Sequence, residues 1–150
     1  MKLKDVEKYF QQIDSIKSVS PKVQIILLKN KFKLKEQFEL IQEIKKSLFG
    51  EDYVFYINSL KEIYTNHCEE KSPNYFIPKD RNQFEKAMAK FNEDRKDLII
   101  SCKEKEFHFS NFLEEEVEIE FSKYTLEDLP EELEGFSKDQ IEILFKFINN

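Results

Sequence analysis

Residues that break regular structure are scarce in this chain, and this limits the folds that it can adopt. The 150 residues include only two Gly and four Pro. These two residue types end helices and form tight turns more often than any others. The sequence therefore favours long helices over a β fold with many turns. Its 40% hydrophobic residues, among them 15 Phe, can form a buried core without disulfide bonds.

Apolar periodicity predicts two helices in the first third of the chain. A short amphipathic helix is expected over residues 5–15. A long one is expected from Pro21, with Ser20 as its N-cap, to residue 49. The apolar spacing along the long helix keeps no clean heptad, so we favour a globular helix over a coiled coil. A homo-oligomer formed through residues 21–49 remains an alternative.

The middle third predicts two more helices around a loop. The third helix is expected over residues 52–67, and the fourth extends from Asp80 to about residue 100. The loop between them, residues 69–79, contains two prolines. Residues 75–77 lie between these prolines and could add a short edge strand or one arm of a hairpin.

The period changes in the last third. Residues 117–121 alternate apolar and acidic side chains, the pattern of a half-buried strand, and residues 107–109 alternate as well. We expect these two segments to pair as a hairpin. A capping box at Ser137 and Gln140 predicts a closing helix. The fold class is therefore α+β, mainly α, with four to five helices and a small antiparallel β hairpin or sheet in the C-terminal third.

Charge is distributed unevenly along the chain. Residues 1–49 carry a formal charge of +5, residues 50–100 carry −2 and residues 101–150 carry −9. We interpret these as a basic helical front, a helical middle and an acidic α+β end of one domain, residues 1–150. Such asymmetry can steer a partner to one end, or bring the two ends of one molecule together.

No pattern in the sequence indicates an enzyme. The only His and Cys residues lack the close spacing of a zinc chelate, and no oxyanion hole or base-orienting partner accompanies a Cys–His pair. A phosphate-binding loop and a calcium loop are also absent from the sequence. We therefore predict no catalytic residue, no cofactor and no metal site. The His and Cys residues of the chain are His67, Cys68, Cys102 and His108.

A lysine-rich strip is the first candidate binding feature. Four Lys and one Phe fall within seven residues of the long helix, where they could follow phosphates and stack on a base. Only two arginines occur in the chain, and the overall charge is −6. Direct nucleic-acid binding is therefore an alternative rather than the preferred interpretation. The strip consists of Lys29, Lys31, Phe32, Lys33 and Lys35.

A dense group of carboxylates is the second candidate. It could be a solvated edge that discourages aggregation, a surface that imitates a phosphate backbone, or a divalent-metal or acid–base site. We prefer the second of these as a functional hypothesis, with a basic groove on another protein as the partner. The residues expected to bind it are Glu114, Glu115, Glu116, Glu118, Glu120, Glu127, Asp128, Glu131 and Glu132.

The last two-thirds of the chain carry a family resemblance. Its elements are an Asn-Tyr-Phe-Ile-Pro-Lys-Asp segment at 74–80, a helix with Phe84, Phe91 and Leu98, and the acidic segment 114–119. Together with the long basic amphipathic helix, this resembles an uncharacterised family of small proteins from phages of low-GC Gram-positive bacteria. The resemblance implies a mostly helical phage protein, and it supplies no catalytic residues.

We therefore expect a non-enzymatic phage or mobile-element protein that acts by binding another protein. Its most concrete form is an inhibitor of a host nuclease or defence complex. A structural or assembly accessory protein is the second expectation, and a nucleic-acid binder is the third. The polar first residues and the short apolar runs predict a cytoplasmic protein with reduced thiols and no membrane segment, and the resemblance implies that this is the cytoplasm of the bacterial host.

Overall fold

A computed structural model describes residues 1–149 and shows a mainly helical protein with one small antiparallel sheet. Six α-helices occur in the described residues, so the expected α+β, mainly α class is confirmed. The elements are α1 (Leu3–Ile13), α2 (Pro21–Leu48), α3 (Glu51–His67), β1 (Cys68–Ser72), β2 (Tyr75–Pro78), α4 (Arg81–Asp94), α5 (Lys96–Leu113), a 3-10 turn (Leu126–Asp128) and α6 (Lys138–Lys146).

Local capping explains where several helices begin. The Ser20 hydroxyl accepts a hydrogen bond from the Val23 amide at 3.3 Å, and Pro21 occupies the first helical position of α2. Ser137 and Gln140 form the reciprocal bonds of a capping box at α6, at 2.9 and 3.2 Å. The expected starts of both helices are therefore confirmed.

The sheet is a hairpin in the middle of the chain. β1 and β2 pair antiparallel, with Cys68 opposite Pro78 and Glu70 opposite Phe76. Asn74 makes the turn with φ of 62°, a conformation that Asn adopts more easily than most residues. Residues 75–77 form one arm of a hairpin, as the sequence allowed, but most of the rest of the expected loop 69–79 is strand too, and the expectation of a C-terminal hairpin is wrong in position.

Residues 107–109 lie in α5 and do not pair with residues 117–121. A helical period prevails there over the short alternation, since Ile99, Cys102, Glu106 and Phe109 follow at steps of three, four and three. Three alternating residues are too few to distinguish a strand from a helix.

The expected fourth helix is also divided. α4 ends at Asp94, and α5 begins at Lys96. Arg95 between them leaves the helical region at φ −124° and ψ 30°. Neither Gly nor Pro marks this break, so the sequence gives no local signal for it.

The chain forms two compact units. The first unit comprises residues 1–44 and 111–150, and the second comprises residues 45–110. The first contains 12 Lys and 18 acidic residues, and the second contains 12 basic and 12 acidic residues. The whole net charge of −6 therefore belongs to the first unit. The basic front and the acidic end of the sequence meet within it.

The core of the first unit joins α1, α2, α6 and the segment before α6. Tyr9 of α1 meets Phe147 edge to face, with ring centroids 6.4 Å apart. The Tyr124 hydroxyl donates to the Leu144 carbonyl oxygen at 2.6 Å, and burial raises its pKa. The buried apolar residues of this unit are Leu3, Val6, Tyr9, Ile13, Ile16, Val19, Val23, Leu27, Leu34, Ile41, Tyr124, Leu129, Ile143, Leu144 and Phe147.

The core of the second unit is smaller and aromatic. Tyr56, Ile99 and Cys102 are buried, and Phe91 stacks on Tyr56 at 6.3 Å between ring centroids. The Tyr53 hydroxyl donates to Glu106 at 2.9 Å, and its pKa rises to about 12, mainly because the phenol is desolvated. The helices α3, α4 and α5 are thereby held together around one cluster.

Candidate protein-binding surface

The acidic segment, residues 114–121, is attached to the start of α1 through the main chain. The Leu3 amide donates to the Glu115 carbonyl oxygen at 3.0 Å, and the Val117 amide donates to the Met1 carbonyl oxygen at 2.8 Å. Lys2 and Glu116 face each other across this antiparallel bridge. The start of the segment therefore has a defined position on the first unit.

The end of the acidic segment is held by α2. Asn30 is fully buried, and its amide group donates to the Ser122 carbonyl oxygen at 2.9 Å while accepting from the Ser122 amide at 2.8 Å. The Lys33 ammonium donates to the Glu120 carbonyl oxygen at 2.6 Å. Buried polar groups need such partners, so α2 fixes the path of the segment.

Sequence reasoning missed the role of Asn30. The residue lies among lysines, but the buried positions of α2 occur at 23, 27, 30 and 34, in steps of four, three and four. An Asn on the apolar face of a helix was the available signal. A buried amide can satisfy the two main-chain groups of a crossing segment, and a hydrophobic side chain cannot.

Exposure along residues 117–121 follows the expected alternation. Glu118 and Glu120 are exposed, whereas Val117, Ile119 and Phe121 are partly buried. Phe121 packs on Phe147 with ring centroids 4.9 Å apart. The two faces that the alternation predicts are therefore present, although no strand of residues 1–149 pairs with this segment. The alternation correctly predicted the two faces of this segment, but its expected pairing with residues 107–109 is wrong.

The nine acidic candidates fall into two groups. Glu114 lies between the ammonium groups of Lys2 and Lys4, at 2.6 and 2.5 Å, and Asp128 pairs with Lys22 at 2.8 Å. The other seven are exposed and form no ion pair with residues 1–149. These are Glu115, Glu116, Glu118, Glu120, Glu127, Glu131 and Glu132. The protein's own lysines thus neutralise part of the predicted acidic surface.

The ion pairs change how two carboxyls titrate. Hydrogen bonds from Lys2 and Lys4 lower the pKa of Glu114 to about 2. A hydrogen bond from Lys22, followed by one from the Thr125 amide, lowers the pKa of Asp128 to about 2. The Glu114 side chain is about half exposed, so salt screens its attraction to Lys2 and Lys4, whereas the Asp128 side chain is 19% exposed and its attraction to Lys22 is screened less.

Acid should therefore weaken the first unit. Both pKa values are lower in the folded state than in the unfolded chain. Between about pH 5 and about pH 2 the folded state therefore binds fewer protons than the unfolded state. The stability contributed by Glu114 and Asp128 is present above pH 5 and is lost over this interval. Melting temperatures measured from pH 7 to pH 2.5 should fall less for a Glu114→Gln, Asp128→Asn variant than for the unchanged protein.

A matched control uses carboxyls without an ion pair. Glu115→Gln, Glu131→Gln should retain the acid dependence of the unchanged protein, because neither side chain contacts a Lys or Arg of residues 1–149. If the melting temperatures of the two double variants fell equally between pH 7 and pH 2.5, a stabilising role for the ion pairs of Glu114 and Asp128 would be contradicted. A fourfold increase in salt concentration should reduce the difference in acid dependence between the two double variants.

The lysine strip is largely engaged within the molecule. Lys31 pairs with Asp14 and lies 4.9 Å from the ring centre of Phe10. Lys33 binds the acidic segment, and Lys35 approaches Glu39 of the same helix at 3.6 Å. Lys29 is exposed, and Phe32 has 75% of its surface accessible. The strip therefore offers fewer free cations than its sequence indicates.

The cysteines and histidines form no metal site in the described part of the chain. Cys68 and Cys102 are free thiols, both buried, and burial raises the pKa of Cys102. Residues 1–149 contain no group of three or more His, Cys, Asp or Glu side chains that could hold a metal ion.

No family model, curated protein or solved structure matches this chain. Among residues 1–149, no helix is both long and apolar enough to cross a membrane.

Proposed function

We propose that this protein acts without catalysis, by binding another protein through the exposed carboxylates of its acidic segment. Glu115, Glu116, Glu118 and Glu120 support this proposal, because they are solvent-exposed on a backbone that α1 and α2 hold in place. Carboxylates in fixed positions need little ordering when they meet a cationic partner. The net charge of −6 on this unit would speed association with such a partner.

The partner in this proposal is a protein with a basic groove that otherwise holds nucleic acid. The protein would then be a phage or mobile-element inhibitor of a host nuclease or defence complex in the bacterial cytoplasm. The family resemblance of residues 74–121 supports the phage origin. Glu114 and Asp128 take no direct part, because lysines of this chain already neutralise them.

Charge reversal tests the proposal. Replacing Glu115, Glu116, Glu118 and Glu120 by Lys should reduce partner capture from a low-GC Gram-positive host lysate at least tenfold, because each attractive contact becomes repulsive. The protein should still fold, since none of these side chains pairs with Lys or Arg of residues 1–149. Excess duplex DNA should release the captured partner if the acidic segment occupies a nucleic-acid groove.

A second charge-reversed variant is the control. Glu62, Glu70, Glu93 and Glu104 are exposed residues of the second unit, and their replacement by Lys changes the net charge by the same amount. This variant should retain the captured partner. Equal capture by the variant with a reversed acidic segment and by the unchanged protein would overturn the proposal.

A structural or assembly accessory role is the second candidate. Its support is a row of exposed apolar side chains on α2, namely Ile25, Leu28 and Phe32. They recur at steps of three and four, so they share one face of the helix. Concentration-dependent self-association that Phe32→Ser abolishes would favour this role.

A further inference from the structure

The main chain of the acidic segment is paired up to Val117 and largely unpaired over residues 118–121. Val117 exchanges hydrogen bonds with Met1, and the Glu120 carbonyl oxygen accepts from Lys33. The amide and carbonyl groups of Glu118, Ile119 and Phe121 form no hydrogen bond with residues 1–149. With its alternating side chains, the segment has the pattern of a strand with an unpaired edge.

An open groove lies beside this edge. It has a volume of about 830 Å³, and Ile119 and Phe121 contribute to its lining. Phe145 also lines it and is 48% exposed. Lys123 and Lys146 line the groove as well, and Lys146 also lines a second one, of about 580 Å³, that extends along the segment to Val117. Apolar surface is therefore available next to the unpaired main chain.

We propose that an extended segment of the partner protein adds as a strand beside residues 118–121 and lies in this groove. This deepens the proposed function and rests on it. Main-chain hydrogen bonds supply affinity in such strand addition, and alternate side chains supply specificity. Glu118 and Glu120 are two residues apart, about 7 Å along a strand. The partner segment therefore carries Lys or Arg at alternate positions, with apolar residues between them.

A second copy of this chain does not suit the edge. Two acidic segments paired with each other would bring Glu118 and Glu120 of one copy near the same residues of the other. Like charges opposite each other destabilise a strand pair. The charge of the segment thus selects a cationic partner and discourages self-pairing.

Synthetic peptides can separate strand addition from simple charge attraction. The first probe is a fluorescent nine-residue peptide in which Lys alternates with Val, and the second has Glu in place of Lys. The third is the Lys peptide with every main-chain nitrogen methylated, which keeps the side chains and their charges but cannot donate from its main chain. Anisotropy titrations should show at least tenfold weaker binding of the second and third peptides.

Variants of the protein then test the position of the site. Glu118→Gln, Glu120→Gln should weaken binding of the Lys peptide at least fivefold, whereas Glu131→Gln, Glu132→Gln should change it less than twofold. The amide hydrogens of Ile119 and Phe121 should exchange more slowly with solvent when the peptide is bound. This slowing is a signature that charge attraction alone does not give.

Each contrary result has a definite meaning. Equal binding of the methylated and unmethylated peptides would overturn strand addition and leave the charge-based proposal intact. If the Glu118→Gln, Glu120→Gln variant bound the Lys peptide as tightly as the unchanged protein, the partner segment would not need Lys or Arg at alternate positions, and this part of the inference would be wrong. Lack of binding of the Lys peptide at 1 mM would overturn the inference. The lysate experiment would still decide the proposed function separately.

Discussion

Replacing Phe147 by Ala is expected to lower the free energy of unfolding by about 3–5 kcal/mol, the cost of removing a large aromatic side chain from a core. Phe147 is fully buried. Its ring meets Tyr9 of α1 and packs on Phe121 of the acidic segment. One substitution therefore removes contacts to two other parts of the first unit. Urea unfolding, followed by circular dichroism, measures the change.

Phe145 provides a matched control two residues earlier. It lies in α6 with about half of its side chain exposed. Phe145→Ala should lower the unfolding free energy by only about 1 kcal/mol, because about half of the ring is already in contact with water. Similar losses for the two variants would contradict the arrangement of the core described above.

Replacing Asn30 by Leu is expected to lower the free energy of unfolding by about 2–4 kcal/mol. Leu matches Asn closely in shape but leaves the Ser122 amide and carbonyl groups without their partner. Each buried unsatisfied group costs about 1–3 kcal/mol. The amide hydrogen of Ser122 should also exchange faster with solvent, because its hydrogen bond to Asn30 is lost.

The control for Asn30 is an exposed Asn in a helix of the same unit. Asn111 in α5 is exposed, and Asn111→Ala should change stability by less than about 0.5 kcal/mol. Hydrogen exchange at Ser122 should not change in this variant. If Asn30→Leu proved as stable as the unchanged protein, the two hydrogen bonds could not be what fixes the acidic segment.

Signals that depend on a few neighbouring residues gave correct predictions. Pro21 after Ser20 marks the start of α2, and Ser137 with Gln140 marks the start of α6, because capping bonds form within one helical turn. The alternation of residues 117–121 also predicted the correct faces. In each case the information lies within four or five residues of the chain.

Features that depend on distant residues were not predictable in the same way. The strand pattern at 117–121 does not specify what it pairs with, and in the structure Met1, Asn30 and Lys33 hold it. The charge asymmetry allowed the two ends to meet, but it did not specify that Glu114 and Asp128 would pair with lysines more than a hundred positions away. These ion pairs reduce the acidic surface that charge counting alone would predict.

The division of the first unit between the two ends of the sequence affects the order of folding. Residues 45–110 are continuous and can condense while the ribosome is still at work. The first unit needs Ile143, Leu144 and Phe147 to complete its core, and these are synthesised after residues 45–110. Residues 1–44 therefore cannot complete their core until residues 45–110 and the segment that follows have been made. Nascent chains that stop before residue 143 should expose the apolar core residues of the first unit to chaperones and proteases.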